Sequence, residues 1–360
     1  MNNVSLCMIV KDEEAYIKKC LESVKNFVDE IIIVDTGSTD DTISICLEFG
    51  ATVFKFDWNN NFSEARNYGI EKATKDWILW LDADERLTTQ NLNTINKILD
   101  TSNLAIFKIK MRHIYEEEKP MEGDFSYSYR IFRNHKNIRF TGAIHEKLIF
   151  DEEQIPISQI ADIEINHYGY MQKERIHKAL RNLQILVSEA EKNQEDAWIS
   201  YYIAAELYRL NDIQKAYYFV NQAIAEFLIK KSMPPAIAYK LKYDILIHSN
   251  SLKNSQKGIE LAIEMYPDYV DLRFYKGVIL VKQKKYEEAI KTFRYCLMLG
   301  EDHPDYLITA GNGSFRAYQY IGVCYEQLEQ YDIAIQTYKK ALLINPKLEE
   351  VIEKLENLIE

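Results

Sequence analysis

The chain has 360 residues, 47% apolar and 28% charged, enough for folded cores in about two domains. Its 55 acidic and 44 basic residues leave a net charge of −11, the wrong sign for neutralising phosphates, so nucleic acid is not an expected partner. No run approaches the ~18 apolar residues of a membrane span, and no basic residue precedes the apolar run Val4–Val10 as it would in a secretory signal.

Tyrosine divides the chain. Of 25 copies, 18 follow residue 180, so two different architectures are expected. In the first half, residues 4–10 read as a buried strand, and Ile17, Leu21 and Val24 share one helical face. A second buried strand begins at Ile31–Val34, and Ser38-Thr39-Asp40 offers N-cap chemistry for a helix ending near Phe49. A strand at 52–57, a helix at 63–74 and a strand at 77–81 follow. This alternation predicts a parallel α/β sheet, whose ligands collect beyond the carboxyl ends of the strands. Three strands run there into acidic or polar residues: Lys11-Asp12-Glu13-Glu14, Asp35-Thr36-Gly37-Ser38 and Asp82-Ala83-Asp84-Glu85. No GxGxxG or GxxxxGK[ST] occurs, so neither a dinucleotide fold nor a P-loop is indicated.

Asp82-x-Asp84 is the most informative short motif. Two carboxylates at i, i+2 on a strand end can aim oxygens at one hard cation, Mg²⁺ or Mn²⁺, bridging a diphosphate. The alternative is a pair of acidic caps for a helix beginning near Thr88.

The segments SLCMIVKDEE, IIIVDTGSTDDT, NFSEARNYGIEKA and DWILWLDADE occur in this order. Together they closely resemble family 2 glycosyltransferases of the GT-A fold over residues 4–170. Asp12 stands where Asn is common, and Asp41 where Gly usually continues the run. The resemblance implies an inverting transfer from a UDP-sugar. It places Asp35 on the uracil N3–H, Val10 and Glu13 at the nucleoside, and Arg66 near the diphosphate or sugar. Asp82 falls on the ribose or sugar, and Asp84 on the metal. As alternatives, Glu13 is a first-turn helix acid, and Arg66 pairs on the surface with Glu64 or an Asp.

Residues 127–150 read as two strands flanking a hairpin turn at Asn134–Asn137, and Phe140–Glu146 resembles the FxGxIHE element of this branch. An inverting transferase needs a base for the acceptor's proton; Glu146 is the first candidate and His145 the second. The alternative for Glu146 is an exposed pair with Lys147. His167, after the strand at 160–165, matches the histidine that often completes the GT-A metal shell; otherwise it is a structural turn histidine.

The second half is repetitive. From Ser314, Gly322, Tyr325, Ala334, Tyr338, Ala341 and Pro346 fit the 34-residue tetratricopeptide pattern. Gly277, Leu280, Ala289, Phe293 and Cys296 repeat it 45 residues earlier, with the excess assigned to a loop at His303–Gly313. Weaker copies cover 236–269 and start near Ala197. The expected domains are therefore a GT-A domain at 1–170, a linker helix at 171–196, and about four repeats plus a capping helix at 197–360. A solenoid of this kind presents a groove suited to an extended peptide or another subunit, and the tyrosines either line it or fill inter-helix packing.

The fusion resembles peptide S- or O-glycosyltransferases that modify bacteriocin precursors, which implies hexose transfer to a Cys, Ser or Thr side chain of a peptide. A surface polysaccharide or lipid-linked sugar is the alternative acceptor. An inactive transferase domain carrying an interaction scaffold is the alternative class, against which the retained Asp35, Arg66, Asp82 and Asp84 argue. The five scattered cysteines read as reduced thiols of a cytoplasmic protein, and a repeat array beside a compact enzyme points to a homodimer.

Overall fold

The computed structural model describes residues 3–89, 95, 97–99, 104–134, 137–150, 157–169, 172–192, 196–251 and 255–359. It divides into two compact units: Met1–Ile114 with Tyr127–Glu174, and Tyr115–Ser126 with Arg175–Glu360.

The first unit is built on a twisted sheet. Its strands are β1 (Val4–Val10), β2 (Glu30–Asp35), β3 (Thr52–Lys55), β4 (Trp77–Trp80), β5 (Glu85–Thr89), β6 (Ile106–His113), β7 (Asp124–Arg133) and β10 (Ile157–His167), in the order β3-β2-β1-β4-β7-β6-β10-β5. β1 pairs in parallel with both β2 and β4, and β2 with β3. The rest departs from the all-parallel expectation, because β4–β7 and β10–β5 are antiparallel. The chain winds outward from β1 to β3, then returns to the other side of β1 with β4. That reversal opens a crevice at the carboxyl ends of β1, β2 and β4.

The apolar runs follow from burial on both faces. Leu6, Met8 and Ile33 join one core with Ile17, Cys20, Leu21 and Val24 of α1 (Ile17–Val24). Cys7, Ile32 and Ile78 join the other, with Ile70 of α3 (Phe62–Lys72). Each such fully buried side chain contributes about 1.5–3 kcal/mol. α2 (Thr42–Glu48) lies between β2 and β3 in the chain, shorter than the helix expected from Ser38.

Two local expectations are corrected. Residues 85–89 form β5 against β10, not a helix near Thr88, so Asp82 and Asp84 cap no helix there. Nor do the strands on either side of 134–137 pair with each other as a hairpin requires, and residues 135 and 136 lie outside the described residues. Instead β8 (Arg139–Thr141) pairs with β9 (Lys147–Ile149) in a separate two-stranded sheet. β7 has β4 on one side and β6 on the other, which leaves β8 to find another partner.

In the second unit, after α4 (Gln172–Lys192), the helices run in series: α5 (Ala197–Arg209) packs on α6 (Ile213–Ile229), and α7 (Ala236–His248) and α8 (Ser255–Met265) come next. α9 (Val270–Lys282) and α10 (Tyr286–Leu299) follow, then α11 (Phe315–Gln327) with α12 (Tyr331–Ile344), and α13 (Glu349–Ile359) ends the series. The repeat glycines mark close approaches: a Cβ at Gly322 would lie 2.4 Å from the Tyr338 ring, and one at Gly277 2.5 Å from Phe293. Tyr201, Tyr239, Tyr243, Tyr269, Tyr275 and Tyr338 are buried, so packing claims these tyrosines, while Tyr218 and Tyr331 are exposed.

The eleven-residue excess is more than a loop. Within it β11 (Ile308–Thr309) pairs antiparallel with Asp124–Phe125 of the same unit. Beneath lies Lys240, 3% exposed, whose Nζ sits 3.1 Å from Asp244, 3.4 Å from Asp271, 3.8 Å from Asp124 and 2.8 Å from Thr309 Oγ1. Asn312 Nδ2 donates to Asp271 at 2.9 Å. Burial pushes the Asp271 carboxyl up to about 6, against the opposing pull of Lys240. Among the described residues no helix is long and apolar enough to cross a membrane, and all five cysteines are free and buried.

Candidate active site

The loops after β1 and β2 are laced together by side chains. Thr39 N donates to Asp12 Oδ1 at 2.7 Å, Asp12 N to Ser38 Oγ at 3.1 Å, and Glu13 N to Thr42 Oγ1 at 2.7 Å. Asp12 adopts φ 52°, a left-handed conformation that Asp and Asn tolerate best, which accounts for Asp in the place of Asn. Glu13 precedes α1 and is no first-turn acid of it. Asp35 pairs in register with Val10 and is 3% exposed; Oδ1 accepts from Ser38 N at 3.0 Å and Oδ2 from Gly37 N at 3.2 Å.

Helix α3 carries Arg66. Asn61 caps it by accepting from Glu64 N at 3.2 Å, while Asn61 Nδ2 donates to Glu64 Oε1 at 2.8 Å, a reciprocal cap that fixes the first turn. The same turn holds the segment after β8. Ser63 Oγ donates to Gly142 O at 2.6 Å, Phe62 N to Ala143 O at 2.8 Å, and Asn67 bonds both backbone groups of Phe140 at 2.9 Å. Glu146 is thereby brought to Arg66, Nε to Oε1 at 2.5 Å, and Arg66 Nη2 reaches Asp82 Oδ1 at 2.8 Å. Arg66 is buried and not a surface partner of Glu64; Glu146 pairs with it rather than with Lys147. Burial opposes the Arg66 charge, but Asp82 and Glu146 overcome it and hold the guanidinium ionised. Burial would also raise the Asp82 carboxyl, yet Arg66 and then Arg130 pull it below the usual carboxylate range.

A second layer escaped the sequence reading. Glu85, fully buried, takes a bidentate bond from Arg130 at 2.7 and 3.0 Å and accepts Asp82 N at 2.9 Å. Both Arg66 and Arg130 lie over the Trp80 ring, 4.3 and 3.5 Å from its centroid. The signal available was an arginine inside the apolar stretch YSYRIF, a cation that no sheet core accepts without a carboxylate.

His167 closes the site from β10, with Nε2 3.4 Å from Asp84 Oδ1. Burial would lower its pKa, but the charge and hydrogen bonding of Asp84 raise it above the ordinary value. Its Nδ1 lies 3.3 Å from Nδ1 of His113, its register neighbour on β6. Gly169 borders this corner: a Cβ there would lie 2.2 Å from Asp84 Oδ2 and 2.7 Å from His167 Nε2. Among the described residues, no group of three His, Cys, Asp or Glu is gathered for a metal ion. One carboxylate and one imidazole are donors of the kind that a divalent cation accepts. Glycine at 169 leaves room for these two side chains, which any Cβ would meet. His145 stands beside Glu146 with φ 52° and its Nε2 buried.

Thus Arg66 touches both Asp82 and Glu146, Asp84 meets His167, Val10 and Asp35 lie at the neighbouring strand ends, and Glu13 lies in the loop after β1. Comparison with known proteins places this arrangement in context. Residues 5–152 match the model of Glycosyl transferase family 2, and residues 315–348 that of the Tetratricopeptide repeat. The chain is 35% identical over 277 residues to a TPR repeat-containing protein of Synechococcus elongatus, covering 74% of this chain and 65% of that one. It is 29% identical over 279 residues to the SPbeta prophage-derived glycosyltransferase SunS of Bacillus subtilis, covering 76% and 66%. The chain therefore aligns with just under two thirds of each relative's length. A crystal structure of S. aureus TarS 1–349 is 16% identical with a TM-score of 0.38, covering 67% of this chain and 86% of that one.

Proposed function

We propose, from the match of residues 5–152 to the Glycosyl transferase family 2 model, that the chain is an inverting, metal-dependent glycosyltransferase. It moves a hexose from a UDP-sugar to a Cys, Ser or Thr side chain of a peptide. The observation that carries this reading is the meeting of Arg66, Asp82 and Glu146 beside the Asp84–His167 pair.

Asp35 accepts from the uracil N3–H, with Val10 and Glu13 flanking the nucleoside. Asp84 and His167 hold a divalent cation, which when bound neutralises charge on the departing diphosphate. Arg66, kept charged and immobile by its two carboxylates and Trp80, presents fixed positive charge to the same leaving group without reorganising. Asp82 orients the sugar. Glu146 spends Oε1 on Arg66 and takes the acceptor's proton at Oε2, with His145 the second candidate. The repeat array positions the peptide, converting an encounter into an oriented reaction. The SunS relative, a glycosyltransferase by name that aligns across 76% of this chain, supports reading both units as one enzyme.

UDP release across a panel of UDP-sugars, with Mn²⁺ or chelator, tests the reading beside Asp84→Ala. Metal-dependent release that the variant loses is the expected result, and intact-mass analysis of Cys- and Ser-bearing peptides then identifies the acceptor. No release together with no UDP binding by calorimetry overturns it.

A further inference from the structure

We infer that His113 is a positioning residue for the Asp84–His167 pair, fixing the tautomer that leaves His167 Nε2 able to bind a divalent cation. The inference rests on the metal reading above and extends it to a residue outside the strand-end motifs.

The argument is one of hydrogen-bond roles. His167 directs Nε2 to Asp84 Oδ1 at 3.4 Å and Nδ1 to His113 Nδ1 at 3.3 Å. To ligate through Nε2, a neutral imidazole must carry its proton on Nδ1. That proton needs an acceptor, and His113 Nδ1 is placed to be one, which puts the His113 proton on Nε2. Metal-ligating histidines generally donate their second ring N–H to such a partner, and losing it weakens metal binding about 10–100-fold.

The register of the two strands sets the pair. β6 and β10 run parallel, and residues 164–167 pair with 110–113 in continuous register. The bond from Ile114 N to His167 O, 2.8 Å, locks the end of that ladder. Across β10, His167 is in register with Glu85 of β5, and Tyr168 N donates to Asp84 O at 2.8 Å. The His113 ring stands 5.4 Å from the His167 ring, centroid to centroid, so it supports the far edge of that ring while Asp84 takes the near edge.

The test is Mn²⁺ binding by the full chain, measured by electron paramagnetic resonance without donor or acceptor. His113→Leu removes the acceptor; His113→Asn keeps one, since Asn Oδ1 nearly superposes on His Nδ1. The expected results are a Kd raised about 10–100-fold in His113→Leu and within about threefold of wild type in His113→Asn. With Mg²⁺ bound, ¹⁵N shifts should report His167 protonated at Nδ1 in wild type and His113→Asn. Unchanged Mn²⁺ affinity in His113→Leu, with binding lost in Asp84→Ala, overturns the assignment and spares the metal reading. Loss in His113→Leu and His113→Asn as complete as in Asp84→Ala also overturns it, because His113 is then itself a ligand. Equal Mn²⁺ binding by wild type and Asp84→Ala takes down the metal reading and the assignment together.

Discussion

In each unit a buried cation meets more than one carboxylate, and the two clusters are built for different ends. Arg66 joins Asp82 and Glu146 at the strand ends, where the Asp82 side chain keeps 35% of its exposure. Lys240 joins Asp124, Asp244 and Asp271 between helices, where Asp271 is 0% and the Asp244 side chain 28% exposed. Similar ion pairs therefore do unlike work. The first leaves one carboxylate facing the crevice, where a ligand can exchange for water. The second spends its partners on joining the 115–126 segment, the β11 insert and two helices.

The sharpest way to break this comparison is Lys240→Met. It strands buried carboxylates and should cost about 3–5 kcal/mol in urea unfolding. A cost near zero would mean that the cluster holds nothing together. Arg66→Met should do the reverse, lowering kcat about 10²–10³-fold. Its unfolding free energy should fall by less than that of Lys240→Met, because Asp82 can rehydrate.

The pH dependence of stability separates the clusters further. Asp271 has its folded pKa raised to about 6 from 3.8, so between these values the folded state holds the proton more than the unfolded state does. Its contribution therefore makes stability fall as pH rises through that window. Asp271→Asn should remove this component, seen as a less negative slope of unfolding free energy between pH 4 and 6 than in wild type. The smallest effect belongs to Asn61→Ala. Removing the cap of α3 should cost about 1 kcal/mol, and a drop in kcat beyond that lost stability would show that the cap also aims Arg66.

Much of this was legible locally. The buried strands at 4–10 and 77–80, the Asp82-x-Asp84 pair and the glycines of the repeats each declare themselves within a few residues, because burial on both faces or a close helix approach restricts composition directly. Partners were not legible. Periodicity says that 139–141 is extended, but not that it pairs with 147–149 rather than with β7. Arg66 and Glu146 are 80 residues apart, and Glu85 and Arg130 are 45, so only the topology brings them together. The insert at 303–313 looked like a loop because two residues of strand leave no pattern to read. His113 carried no mark at all, since its significance lies in the register of β6 against β10.

Trp80 gives the site an optical consequence. Its indole donates Nε1–H to Tyr129 O at 2.8 Å and lies under the guanidinium groups of Arg66 and Arg130. The energy gap of an indole's excited state shifts with the field across its ring, and here that field comes from two fixed cations. Any anion that draws on Arg66 changes this field directly. The protein thus carries a native chromophore wired to Arg66 and Arg130, read against only three other tryptophans in the chain.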